Sequence, residues 1–340
     1  MAPRVSVLLP IRQWRESSAG AVQSVLDQTF DDFELLLIGD SDIEALRDQL
    51  PADPRIKCVV REKPGIVSAL NTGLGVATGK YIARMDDDDL AYASRFEIQL
   101  RYLETHKDIG LCGARIRFVD QRGLADGVGQ GNRRYEGWLN GLITSEAISD
   151  NCFIECALPH PTWMAPKTTF DLLDGYREFD GPEDFDFVLR ACLAGVRMGK
   201  PDEVLLDWRV HESRLTLTDT RYRREAFTVT RAANACHSQS GLSLDTGRAV
   251  WICGTGRNAR YWFDALLAEG CNVSGFVDLD RPGAAQRKRH RPVITYKELW
   301  QRRHDELVVT AITDPIARSK LIETFTARRW IANHDYLLGG

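Results

Sequence analysis

Short apolar runs alternate along the first half of the chain with stretches whose apolar side chains recur every three or four residues. The runs Val5–Leu9, 33–40, 55–62, 80–86 and 109–120 have the length and β-branched content of strands buried on both faces. Residues 17–28, 42–50, 66–78 and 94–106 carry the helical period, with Ser17 or Ser18 as N-cap of the first and Ser94 with Glu97 forming a capping box for the last. Alternating strands and helices with short links predict an α/β fold with a largely parallel central sheet. Residues 121–137 are glycine-rich and charged, with little apolar period, so a long loop and a candidate lid are expected there. Farther on, 178–195 passes from a turn into a helix, 203–211 is a strand and 219–236 a helix.

The pattern then breaks. Residues 237–247 are polar and rich in serine and glycine, as a linker would be, and a new strand, glycine turn, helix and strand follow. The expected division is therefore 1–236 as one α/β domain and 248–340 as a smaller one. In the second, "GTGRNAR" opens a helix after a strand. Gly254 and Gly256 fit a dinucleotide-type turn, Ala259 takes the third position, and Asp278 ends the next strand 22 residues past Gly256, the spacing of a ribose-binding acid. About 90 residues are too few for a complete dehydrogenase.

Bulk properties narrow the function. With 44% hydrophobic and 27% charged residues the chain is globular, and its 340 residues suffice for two cores. A net charge of −4 gives no basic field for nucleic acid. No apolar run approaches the ~20 residues that span a bilayer, so a cytoplasmic protein is expected, with peripheral membrane association left open. None of the eight cysteines forms a zinc-type C-x-x-C pair, and most sit in apolar segments, which predicts plain buried thiols. The basic run 287–291 suits a solvated loop or a contact with an anionic surface.

The chemistry concentrates in "RMDDDD", where Asp86 to Asp89 follow a strand. Four adjacent carboxylates repel unless they are solvated or hold a cation. Asp40, Asp86–Asp89, Pro10 and the 62–65 turn all fall at strand carboxyl ends, where open α/β sheets bind ligands. Carboxylates there suit Mg²⁺ or Mn²⁺, which in turn can hold a diphosphate. An EF-hand is excluded because Leu90 and Ala91 stand where a ligand and a glycine are needed.

The segments "VSVLLPI", "FELLLIGDSD", "GIVSALNTGLGVATGKYIARMDDDD", "HPTWM", "GYREF", "PEDFDFVLR" and "WRVHES" together resemble family 2 glycosyltransferases of the GT-A fold, over roughly the first 215 residues. The resemblance implies that Asp86 and Asp88 are the D-x-D pair that, with metal, holds the nucleotide diphosphate. It makes Asp40 the acid that recognises the base, usually uracil, and lines the nucleotide pocket with Pro10 and Arg84. It assigns Asp184 as catalytic base, with Glu183 and Asp186 as neighbours on the same turn, and makes His211 a further metal or diphosphate contact. One departure is Gly39, which stands where the family has an acid before Asp40. His160 belongs to the acceptor loop, and Trp138 and Trp163 either stack on an acceptor sugar or pack in the core. The later unit resembles small Rossmann-like domains found beside bacterial sugar-modifying enzymes. The implied activity is metal-dependent, inverting transfer from a nucleotide-diphosphate sugar, UDP-linked, to a hydroxyl of a glycan or lipid-linked saccharide. Two alternatives stand beside it: a non-catalytic nucleotide-sugar binding protein, and NAD(P)-dependent sugar modification at Gly254 to Asp278.

Overall fold

The computed structural model describes residues 2–212, 214–237, 248–279, 287–302 and 306–339; apart from His237, the expected linker lies outside them. In chain order the first elements are β1 (Val5–Pro10), α1 (Glu16–Leu26), β2 (Phe33–Gly39), β3 (Ile56–Val60), α2 (Ile66–Val76), β4 (Tyr81–Arg84), β5 (Leu90–Ala91), α3 (Arg95–Thr105), β6 (Ile109–Cys112) and β7 (Arg115–Val119). Next come α4 (Gln130–Gly141), α5 (Ser145–Asn151), β8 (Met164–Pro166), α6 (Lys167–Leu172), α7 (Glu183–Leu193), β9 (Arg197–Gly199), β10 (Val204–Arg209), α8 (Leu215–Thr218) and α9 (Arg224–His237). The last are β11 (Val250–Cys253), α10 (Arg257–Ala268), β12 (Val273–Asp278), β13 (Arg287–Lys288), β14 (Arg291–Thr295), α11 (Tyr296–Leu299), β15 (Leu307–Thr310), α12 (Pro315–Ala327) and β16 (Tyr336–Leu338).

The chain forms two compact units, residues 1–149, 157–179 and 195–218, and residues 150–156, 180–194 and 219–340. In the first, a seven-stranded sheet runs β3-β2-β1-β4-β8-β6-β9. Its β1 lies between β2 and β4, parallel to both. Covered on both faces, Val5 to Leu9 are all buried, which is why the run is apolar except at Ser6, whose hydroxyl donates to Glu34. Strand order reverses between β1 and β4, so the carboxyl ends of these two strands flank a switch point. A second sheet, β5-β10-β7, has β10 antiparallel to β5 and parallel to β7. That pairing brings the segment after β10 alongside the aspartates before β5.

Four local expectations are corrected. The helix at 42–50 is a 3-10 helix, Ser41–Gln49, with only Ile43 buried, too little apolar face to favour a regular amphipathic helix. The expected strand 109–120 divides at Gly113 and Ala114, whose amides donate to Gly199 O and Thr162 Oγ1, and the two halves join different sheets. The expected loop 121–137 is helical from Gln130, because Leu139 enters the core while Tyr135 and Trp138 pack against it. Gly131 and Gly137 face open space there, so the glycine content masked an apolar stripe, and the helix is no free lid. Neither expected serine cap forms. Ser94 makes no side-chain cap and Glu97 accepts from Thr29 Oγ1 instead, while α1 is capped at Arg15, with Ser18 Oγ accepting the Arg15 amide.

Glu34 shows how a carboxylate is held inside this unit. Its oxygens accept from Ser6 Oγ, Lys57 Nζ and both the amide and hydroxyl of Thr78. Burial alone would raise its pKa, but Lys57, Ser6 and Thr78 together hold it at about 2. A carboxylate with a depressed native pKa stabilises the fold above its unfolded pKa, and that contribution is lost as pH falls through the native value. Glu34→Gln is therefore expected to cost about 1–3 kcal/mol at pH 7. In urea titrations the gap from wild type should close as pH drops from about 4.5 towards 2; a pH-independent gap would mean the ionised form contributes nothing.

In the second unit the sheet runs β13-β14-β12-β11-β15-β16, with β14 through β16 parallel. Starting from β11, the parallel strands follow the order 3-2-1-4-5 of a doubly wound sheet, with its switch point between β11 and β15. Arg231 of α9 ties residues 153–154 to this unit, donating from Nε to Phe153 O at 2.7 Å and from its terminal nitrogen to Ile154 O at 2.5 Å. Cys236 and Cys271 are joined by a disulfide, correcting the expectation of plain thiols for this pair; the other six cysteines are thiols.

Candidate active site

The strand β4 delivers the acidic run to the switch point. Its register beside β1 continues through Met85, whose amide donates to Leu8 O. From below, the fully buried Arg95 donates to Arg84 O at 2.6 Å and fixes the strand end. The four aspartates that follow are not a solvated turn. Asp86 pairs with Arg84 at 2.5 Å, and Asp87 accepts from Ser18 Oγ at 3.1 Å. Asp88 faces His211 Nε2 at 2.7 Å. Asp89 is fully buried, and its Oδ1 accepts the Arg209 amide at 2.9 Å, while no hydrogen bond to its Oδ2 is made among the described residues.

Oxygens of Asp86, Asp88 and Asp89 lie within 4.8 Å of one another. Like charges so close oppose ionisation. Burial first, and then Asp88 and Asp86, push the Asp87 carboxyl up to about 7. Burial and Asp86 raise Asp88 against the pull of His211, and burial with Asp88 and Asp86 raises Asp89 strongly. Without a cation Asp87, Asp88 and Asp89 favour their protons. The donor set fits a hard dication: three carboxylates converge, one with a buried oxygen lacking a hydrogen-bond partner, and an imidazole stands beside them. Asp89 was not singled out by the alternate spacing of the sequence. Only the turn into β5, which points it inward, makes it a ligand candidate.

Arg84, Asp86, Asp88 and His211 are thus brought together. Pro10 ends β1 beside the same switch point, in register with Ile38. Asp40, just past β2, is exposed and held by Arg61 in a bidentate pair of 2.7 and 2.6 Å, which lowers its pKa. Arg61 was not foreseen. A Cβ at Gly39 would come within 3.0 Å of Ile43 Cδ1 and 3.1 Å of Ile11 O, so the position where the family has an acid is closed to side chains here without movement.

Trp163 and His160 belong to the core, whereas Trp138 is half-buried and packs against it. Trp163 is fully buried, its Nε1 donates to Leu158 O, and its ring lies parallel to that of Tyr176. His160 is buried against both rings, with Nε2 2.9 Å from the Tyr176 hydroxyl, and burial with the nearby Arg84 charge keeps its pKa well below normal. Trp138 stacks on Tyr135 against the core.

In the second unit, α7 begins at Glu183 and its first turn is acidic, which the helix dipole favours. Glu183 is buried and accepts from the Tyr222 hydroxyl at 3.1 and 2.8 Å. Asp186 is buried between Arg190 and Asn234. Asp184 is only partly buried, and its Oδ1 accepts the Phe185 amide. Gly254 closes β11 at φ +103°, a left-handed conformation costly for other residues, and Gly256 caps α10. Thr255 Oγ1 donates to the Asp278 carboxylate, which also accepts the Leu279 amide at 2.7 Å. In the basic run, Arg289 pairs with Asp264 and Arg287 donates to His290 O.

Comparison with known proteins places this geometry. The model of glycosyl transferase family 2 matches residues 6–152, which form a family 2 glycosyltransferase domain. The bifunctional glycosyltransferase pgtA of Dictyostelium discoideum is 27% identical over 202 residues, 51% of this chain and 26% of its own. An uncharacterized glycosyltransferase of Rickettsia felis is 38% identical over 170 residues, 49% of this chain and 26% of its own. This chain thus spans about a quarter of those relatives. The O-antigen biosynthesis glycosyltransferase WbnJ of Escherichia coli is 27% identical over 214 residues, 61% of this chain and 80% of its own. Among solved structures, residues 1–349 of S. aureus TarS in complex with UDP-GlcNAc align with a TM-score of 0.52 at 15% identity, over 78% of this chain and 80% of that one. The fold is of the GT-A type. Among the described residues no helix is long and apolar enough to cross a membrane.

Proposed function

We propose that the protein transfers a sugar from a nucleotide-diphosphate donor, UDP-linked, to a hydroxyl of a glycan or lipid-linked saccharide, with a divalent cation and inversion at the anomeric carbon. The observation that carries this reading is the convergence of Asp86, Asp88 and Asp89 at the switch point of a family 2 domain. These carboxylates and His211 would hold Mn²⁺ or Mg²⁺, which as a Lewis acid stabilises charge on a departing phosphate. Asp40, Arg61 and Pro10 are assigned to the base, and the similarity to S. aureus TarS, whose structure holds UDP-GlcNAc, favours uridine.

Asp184 takes the acceptor proton in this scheme. Its partial exposure supports it over Glu183 and Asp186, whose oxygens are engaged by Tyr222, Arg190 and Asn234. A carboxylate acting from the face opposite the leaving group gives inversion in a single displacement. In the second unit, Gly254, Gly256 and Asp278 are assigned to a nucleotide, supported by the doubly wound strand order. Titration with NAD(P)H separates this from the oxidoreductase alternative.

The test is calorimetric titration with UDP and GDP, with and without Mn²⁺. Binding of UDP that requires Mn²⁺ is the expected result. Preference for GDP would replace the base, and absence of binding to either would overturn the reading.

A further inference from the structure

We propose that Cys192 and Cys152 form a thiol–disulfide exchange site in the second unit: Cys192 reacts with a low-molecular-weight disulfide of the glutathione type, and Cys152 resolves the adduct into an internal disulfide. The site lies outside the residues assigned to sugar transfer.

The two sulfurs are in contact. Cys152 Sγ donates to Cys192 Sγ at 3.1 Å, about 1 Å longer than the ~2.05 Å bond of a disulfide. Both carriers are braced. Cys192 is in the last turn of α7, and that helix is bound to α9 by Asn234, which donates to Asp186 Oδ1 at 2.9 Å, and by the rings of Phe185 and Phe227, 5.3 Å apart. Cys152 follows α5 directly, and the next two residues, Phe153 and Ile154, offer their carbonyls to Arg231 of α9. The guanidinium of Arg231 also lies 5.0 Å from the centre of the Phe185 ring. One buried arginine thus touches both segments, so the sulfur contact belongs to the packed unit.

Exposure assigns the two roles. Cys192 is half-buried and open to a small disulfide, whereas Cys152 is fully buried. Burial, the Cys192 sulfur and Asp150 hold the Cys152 thiol well above its ordinary range, so it does not start the exchange. In the first step the Cys192 thiolate attacks one sulfur of the reagent. The reagent's S–S bond breaks, and its electron pair leaves on one glutathione thiolate, which takes up the proton that Cys192 released. Cys152 then loses its proton to water and attacks Cys192 Sγ, which it already faces. The second glutathione leaves as thiolate and is protonated. Two protein thiols are oxidised, and one glutathione disulfide is reduced to two thiols. The new bond ties the turn after α5 to the helix whose first turn carries Asp184.

The experiment equilibrates the full chain with mixtures of reduced and oxidised glutathione, quenches with acid, alkylates, and reads each cysteine by peptide mass mapping. Mapping separates this pair from the half-buried Cys58 and from the Cys236–Cys271 disulfide. Wild type is expected to pass from two thiols to a Cys152–Cys192 disulfide as the oxidised fraction rises. Cys152→Ser is expected to stop at a mixed glutathione disulfide on Cys192. Cys192→Ser is expected to lose the reaction and leave Cys152 a thiol throughout. A wild-type protein in which this disulfide does not form in oxidised glutathione alone overturns the proposal, whether or not the variants fold. So does glutathione on Cys152 in Cys192→Ser, or a Cys192 that stays unmodified in folded Cys152→Ser.

Discussion

Asp184→Asn is expected to retain Mn²⁺-dependent UDP binding and to lose sugar transfer by about 10²–10⁴-fold, the range a positioned general base supplies. The substitution keeps shape and removes only proton affinity. Asp184 is partly exposed, and Asn at this position can still accept the Phe185 amide through its side-chain oxygen, so the fold should tolerate the change. The neighbours on the same turn should behave differently. Glu183→Gln disturbs a buried acceptor of the Tyr222 hydroxyl, and Asp186→Asn breaks a buried pair with Arg190, so both should lower stability by about 1–3 kcal/mol. Single-turnover transfer measured alongside UDP affinity and thermal melting separates these cases. Full transfer by Asp184→Asn would remove it as the base.

The second large effect concerns the acidic cluster. Asp88→Ala is expected to abolish Mn²⁺-dependent UDP binding, since it deletes a carboxylate that faces both its acidic neighbours and His211. Asp89→Asn should act in two opposite ways. It removes a buried carboxylate that lacks a hydrogen bond on Oδ2, so the metal-free protein should melt higher than wild type. It also weakens the cation site, so the rise in melting temperature on adding Mn²⁺ should shrink. For wild type that rise corresponds to about 2.7 kcal/mol at one hundred times the dissociation constant.

The pH dependence has a definite sign. A carboxyl with a raised native pKa stabilises the fold fully only below its unfolded value, and the contribution disappears as pH rises through the native one. With Asp87 raised from 3.8 to about 7, the metal-free protein should lose stability across that interval. Mn²⁺, which takes the place of the protons, should restore it increasingly at the upper end. Thermal melts from pH 4 to 8 with and without Mn²⁺ check this; curves that stay parallel would mean no cation binds at the cluster.

Much of the first unit could be read from the chain because its local signals agree. Apolar runs flanked by polar turns mark β1 to β4, and strand ends in an open α/β sheet are where ligands collect, so Pro10, Asp40 and Asp86 are candidates from the sequence alone. The misread elements are those where local composition and packing disagree. Glycines at 131 and 137 hid a helix whose Leu139 is buried, and Ser94 with Glu97 has capping-box spacing while Glu97 bonds Thr29 instead.

Sequence alone determined the residue types and their order: a strand ending in four carboxylates, an acidic helix start at 183–186, and a glycine turn with an acid 22 residues on. These follow from periodicity and spacing, which are properties of neighbours along the chain. Tertiary structure alone decided which carboxylates face inward, that Arg61 holds Asp40, that Trp163 lies in the core, and that Arg209 and His211 come beside residues more than a hundred positions away. The physical reason is that burial and charge pairing act through space. The pairing of β10 with β5, which no local pattern encodes, is what places a histidine and an arginine on the acidic cluster.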